Sequence, residues 1–198
     1  MKCRDGRRAT TALTALAVAI LLHGCAHSPA THYVTLSSVP ARAPLAAAPI
    51  APVQLTALHI PAELDRPEVV TEPAPNQLAI AEDERWGAPL AQVMRLALVR
   101  DLMTRLPDGT FVPPDLPAPA GTRALVVTVI DVESRETEGI TLHAAWTLVA
   151  RHPDHVVLIE HAALQAPIAG TDSAAQAAAL SEILGELADR MAASISAR

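Results

Sequence analysis

Residues 139–151, GITLHAAWTLVAR, set Ile140, Leu142, Ala144, Trp146 and Leu148 on one side of an extended chain and Thr141, His143 and Thr147 on the other. A period of two over that length is the mark of a strand with one buried face. The segment before it, ALVVTVIDVESRE (124–136), alternates in the same way towards its end, and the one after it, HVVLIEHAALQA (155–166), offers Val157 and Ile159. Short turns separate the three, at Thr137-Glu138-Gly139 and at His152-Pro153-Asp154, so the expectation is an antiparallel meander.

Working outward, the period changes to that of a helix on both sides. After the meander, residues 173–196 carry Leu180, Ile183, Leu184, Leu187, Met191 and Ile195 on one stripe, with Thr171, Asp172 or Ser173 available as the cap. Upstream, Leu90, Val93, Met94, Ala97, Leu98, Leu102 and Leu106 fall on one side of a second helix, with Arg95, Arg100 and Arg105 placed elsewhere. Pro89 suits the first helical position, and Pro107-Asp108-Gly109 ends the helix. VPPDLPAPAG (112–121) is expected as a proline loop with nothing to pack. Earlier still, strands are expected near 53–60, 68–72 and 77–81. The fold class is therefore α+β, a two-layer sandwich of a mostly antiparallel sheet with two amphipathic helices.

Between the first two of those strands lies HIPAELDRPEVV (59–70), where Asp65-Arg66-Pro67 concentrates charge in a chain that is 18% charged. Pro61 and Pro67 stiffen this connector, and Asp65 can cap backbone amides and pair locally with Arg66.

The N-terminal end is organised differently. Lys2, Arg4, Arg7 and Arg8 precede the apolar run ATTALTALAVAILL (9–22), and Gly24 and Cys25 follow at once. This is the pattern of a secretory signal; the run is short for a bilayer span and has no stop-transfer cluster after it. LHGC (22–25) resembles a bacterial lipobox, with His23 the departure from the usual small or β-branched residue, and the alternative is an ordinary signal peptide with an incidental cysteine. An acylated Cys25 would hold the mature chain on a membrane, each buried methylene contributing about 0.8 kcal/mol. Ala26 rather than Asp after the cysteine resembles lipoproteins sent on to the outer membrane. The organisation expected is a signal peptide over 1–24, a lipidated Cys25 with an Ala/Pro-rich tether over 25–52, and a domain over 53–198. Tyr33 to Leu36, YVTL, is the tether's one strand candidate, pinned to the domain at an edge.

Removal of the signal takes four of the 15 basic residues and one of the 21 acidic ones, so the mature chain has 11 against 20 and no lysine. Cys3 leaves with the signal, which excludes an intramolecular disulfide. The acidic balance and the absence of a basic stripe argue against nucleic acid. His152, His155 and His161 are expected as turn and surface residues: no cysteine assists them and no carboxylate pair surrounds them, so neither metal nor cofactor is expected. Nucleophile-elbow, phosphate-loop and zinc-protease motifs are absent, and the chain is expected not to be an enzyme. Trp86 and Trp146 are expected as core anchors.

LHIPAELDRPEVV followed by ERWGAPL and an amphipathic helix resembles the ABC-type transport auxiliary lipoprotein family, which includes the PqiC-like lipoproteins. The family's Pro-x-x-Leu-Asp-Arg-Pro-x-x-Val segment matches Pro61, Leu64, Asp65, Arg66, Pro67 and Val70, and its Arg-Trp-x-x-Pro-Leu motif matches Arg85, Trp86, Pro89 and Leu90. Glu63 stands where an aromatic residue is common and Glu72 where a basic one is expected. The resemblance implies a non-enzymatic periplasmic component of a lipid transport system, anchored in the outer membrane and cooperating with an MCE-domain protein and ABC-type inner-membrane components. It also implies that Asp65-Arg66 and Arg85-Trp86 hold two connectors together, as an internal pin or as a rim for docking. Two other readings stay open: a module holding a phospholipid acyl chain between helices and sheet, and a purely structural envelope lipoprotein. The number of copies stays open as well, with a homo-oligomer among the options.

Overall fold

In chain order the elements are β1 (His32–Val34), β2 (Val53–His59), β3 (Glu68–Ala74), β4 (Gln77–Trp86), α1 (Leu90–Arg105), β5 (Phe111–Val112), β6 (Arg123–Arg135), β7 (Gly139–Ala150), β8 (His155–Ala166) and α2 (Ser173–Ser196). They come from a computed structural model that describes residues 30–41, 50–74, 76–135, 139–151 and 154–198. The signal segment and Cys25 lie outside the described residues, as do 136–138 and 152–153, on which the two expected meander turns largely fall.

The meander forms as the alternation requires. β6, β7 and β8 are consecutive and antiparallel, with Leu125 opposite Leu148 and Leu142 opposite Leu164. Their inner residues, among them Val127, Val129, Ile140, Ala144, Trp146 and Leu158, are buried. Gly139 opens β7 at φ 92, and an added Cβ there would collide with the Ala166 carbonyl oxygen, so glycine alone fits this start.

Two features differ from the expectation of one mostly antiparallel sheet. β2 lies parallel to β6, and β5 lies parallel on the far side of β2, which gives the order β5-β2-β6-β7-β8. A second sheet, β1-β4-β3, pairs β1 parallel and β3 antiparallel to β4. The sheets are thus mixed. The physical reason is distance along the chain: β2 reaches β6 only after the small sheet and α1 have been inserted, and a parallel pair requires such a crossover. β4 runs to Trp86, well past the expected end near 81, because Tyr33 and Val34 pair with Arg85 and Trp86 and so extend the ladder. The loop expected to pack nothing does pack: Val112 is buried in β5, and the Gln54 side-chain amide donates to the carbonyls of Pro113 and Leu116, both at 2.9 Å.

Both helices cover the inner face of the five-stranded sheet and touch each other, α1 over β2 and α2 over β7 and β8. Asp172 is the cap of α2, its Oδ1 accepting from the Ala175 amide at 2.8 Å. The whole expected stripe of α2 is buried. Trp146 donates from Nε1 to Ser194 Oγ at 3.0 Å, which satisfies its polar atom beneath α2. Pro89 occupies the cap position of α1 rather than its first turn.

Candidate functional site

The two motifs meet at the N-terminus of α1. Residues 61–67 close a turn in which the amides of Leu64 and Asp65 donate to the Pro61 carbonyl at 3.0 and 3.2 Å, and Leu64 is buried. The Asp65 side chain then reaches forward: its Oδ1 accepts from the Ala91 amide at 3.3 Å. Pro89 supplies no side-chain cap, so a carboxylate from another part of the chain meets the unsatisfied amides and positive end of α1. The Pro67 carbonyl accepts from the Trp86 amide at 2.7 Å, tying the turn to the end of β4. Trp86 and Leu90 are buried in the core beside Leu64.

Sequence reasoning paired Asp65 with Arg66 locally; the structure pairs Arg66 with Glu68 instead, Nε to Oε2 at 3.0 Å. Arg85 approaches the other oxygen of Glu68 from Nη2 at 4.0 Å. Glu68, at an unspecified position of the first motif, is therefore the carboxylate between the two motif arginines. The Arg66 hydrogen bond, with help from Glu68's own backbone amide and from the Arg85 charge, holds its carboxyl below the usual range against a smaller opposing effect of burial. Both arginines are more than a third exposed. Earlier on the same strand as Arg85, β4 shows Leu78 and Ile80 to solvent at 57% and 46% exposure. Glu72, which departs from the family pattern, lies 3.5 Å from Arg135 Nε.

A second cluster, which the sequence reading missed, lies further along α1. Arg105 had been placed away from the apolar stripe, yet Asp101 and Arg105 are both buried, at 0% and 2% exposure. Asp101 Oδ1 accepts from Ser38 Oγ and from the Val39 amide, each at 2.8 Å. Arg105 donates from Nη1 to the Val39 carbonyl at 2.9 Å and from Nε to Asp189 of α2 at 2.7 Å. The Ser37 amide donates to Ser181 Oγ at 3.0 Å, and the Val39 side chain fills the space left by Gly185. Residues 36–39 form a strap held across both helices. Burial raises the Asp101 carboxyl pKa, opposed by Ser38, Val39 and Arg105. A signal was present in the sequence: from Met94 the spacing 94, 97, 98, 101, 102, 105 carries these two charges along the buried stripe.

One pocket between helices and sheet, lined by Leu64, Val70, Trp86, Leu90, Ile140 and Leu180 among others, amounts to about 30 Å³, whereas a larger one of about 870 Å³ opens along α2 beside Arg105 and Ala166. The first accommodates about one or two waters and falls far short of a ligand site of roughly 300 Å³ or more; the second does not. Among the described residues no group of three or more His, Cys, Asp or Glu is placed to hold a metal, and no helix is long and apolar enough to cross a membrane. His155 and His161 are exposed on β8; His152 lies outside the described residues.

The architecture has solved counterparts. An uncharacterised protein of known crystal structure shares 19% identity and superposes with a TM-score of 0.61, covering 85% of this chain and 98% of its own. Protein XCC0632 from Xanthomonas campestris, assigned to a family named DUF330, shares 18% identity with a TM-score of 0.63 over 83% of this chain and 93% of its own. At those identities the likeness is one of fold. No curated protein matches the sequence. A strand, a strap and two helices over a mixed sheet thus define a recurring α+β class, and within it the chain belongs to the ABC-type transport auxiliary lipoprotein component family, which matches residues 34–192.

Proposed function

We propose that this protein is the membrane-anchored auxiliary lipoprotein of an MCE/ABC-type intermembrane lipid transport system and that it docks, without catalysis, on the periplasmic MCE-domain component. In this reading residues 1–24 are removed, Cys25 carries the acyl chains, and residues up to about 52 connect the anchor to the domain. Ala26 supports retention in the outer membrane, facing the periplasm. The family membership supports the transport association.

The observation that carries the docking reading is the convergence of two family motifs on one junction with half-exposed arginines. Asp65 and Pro67 serve the junction internally, through Ala91 and Trp86, whereas Arg66 and Arg85 keep much of their side chains in solvent, and Leu78 and Ile80 are exposed on the same strand as Arg85. Charged residues at a rim around apolar side chains suit a partner interface. The test is a pull-down from envelope membranes with the acylated protein, alongside the Asp65→Ala/Arg66→Ala variant checked for folding by circular dichroism. Recovery of an MCE-domain protein by the wild type and its loss in the folded variant are expected. Recovery by neither sinks the docking reading.

A further inference from the structure

At the end of the five-stranded sheet where β2 and β6 start side by side and β7 ends, a pocket of about 240 Å³ opens between the strands and residues 118–122. Gln54, Thr56, Arg123 and Arg151 line it, and no aspartate or glutamate does. In an acidic chain that is an unusual neighbourhood. Arg66, Arg85, Arg95, Arg105, Arg135 and Arg190 each approach a carboxylate within 4.0 Å. Arg123 and Arg151, like Arg100 and Arg198, have no such partner among the described residues, and Arg123 Nη1 is buried with no acceptor.

The neutral donors around them are already committed. The Gln54 amide donates to the 113–116 loop, and the Thr56 hydroxyl donates to the Leu125 carbonyl at 3.2 Å. The groups left over are two guanidinium forks, which need an acceptor that is anionic and offers several oxygens. The volume is below that of drug-sized sites, roughly 300–1,000 Å³, and suits a compact group. A single carboxylate serves one fork; a tetrahedral oxyanion can accept from two arginines at once.

We propose that this pocket binds a phosphate group through Arg123 and Arg151. The phosphate of a lipid headgroup and free inorganic phosphate share that chemistry. Binding is to be measured by titration calorimetry on the full chain in detergent, at fixed ionic strength, with inorganic phosphate, with glycerophosphoglycerol as a soluble headgroup, and with acetate as control. Saturable binding of a phosphate probe is expected, weakened about tenfold or more in both Arg151→Gln and Arg123→Gln. Arg151 is exposed and outside the core, so Arg151→Gln keeps its fold and carries the test even where Arg123→Gln does not. Tighter binding of glycerophosphoglycerol assigns the site to a headgroup; tighter binding of inorganic phosphate assigns it to the free ion. Absence of binding by either probe, equal binding of acetate, or undiminished binding by Arg151→Gln overturns the proposal.

Discussion

One arginine–carboxylate cluster lies on β3, β4 and the turn before them, another in the last turns of α1, and the two live in different surroundings. Before the start of α1 Arg66, Glu68 and Arg85 meet at the surface; in its last turns the buried Asp101 and Arg105 meet Ser38, Val39 and the part-exposed Asp189. The chemistry is the same, but water screens the first cluster, whereas in the second it reaches Asp189 and is excluded from Asp101 and Arg105. Exposed ion pairs contribute about 0–1 kcal/mol, whereas removing one partner of a buried pair costs about 3–5 kcal/mol because the other is left uncompensated. The inner cluster therefore fixes the strap, and the outer one is free to lend its charges to something else.

Arg105→Ala is the strongest way to break the contrast. It strands Asp101 and frees the Val39 carbonyl, with an expected loss of about 3–5 kcal/mol in urea unfolding and stronger exposure of residues 36–39 to amide exchange. Gly185→Ala comes next: the new Cβ would lie 2.7 Å from Val39 Cβ, a cost of about 1–3 kcal/mol. Val39→Ala in the same chain should recover much of it, and a double-mutant cycle measures the coupling. At the outer cluster, Asp65→Ala removes a helix cap and should cost about 1 kcal/mol by thermal or urea unfolding. Arg66→Gln should cost less than about 1 kcal/mol, with the difference from wild type shrinking as salt is raised.

The pH dependence sharpens the comparison, since the two carboxylates are displaced in opposite directions. Glu68 is lowered in the folded protein, so its contribution is present above its unfolded pKa and is lost as pH falls through the folded one. Asp101 is raised, so its contribution is full below its unfolded pKa and is lost as pH rises through the folded one. Stability profiles of Glu68→Gln and Asp101→Asn, each subtracted from wild type across the acid range, should slope in opposite senses. Parallel slopes would show that the two sites do not differ in the way described.

How legible each part was follows from how local its cause is. The alternation of β7 and the stripe of α2 are properties of adjacent residues, and both appear in the structure where the sequence placed them. The placement of β2 beside β6 depends on residues about seventy positions apart, and no local period encodes it. The motif residues are visible as a group, but Glu68 fills an unspecified position of the first motif and gains its role only when β3 meets Arg85 across the sheet. Arg105 is expected away from the apolar side but lies on the buried one, at the helical spacing 98, 101, 102, 105. The Arg123–Arg151 pocket joins the first residue of one strand to the residue just after another, a juxtaposition that exists only once the meander has folded.

The two tryptophans give the molecule an internal pair of optical reporters. Trp86 sits under the junction, and Trp146 sits under α2 with its indole hydrogen-bonded to Ser194. Replacing one by phenylalanine leaves emission from the other alone, so partner docking at the junction and loosening of the long helix can be followed separately in the same protein without an attached dye.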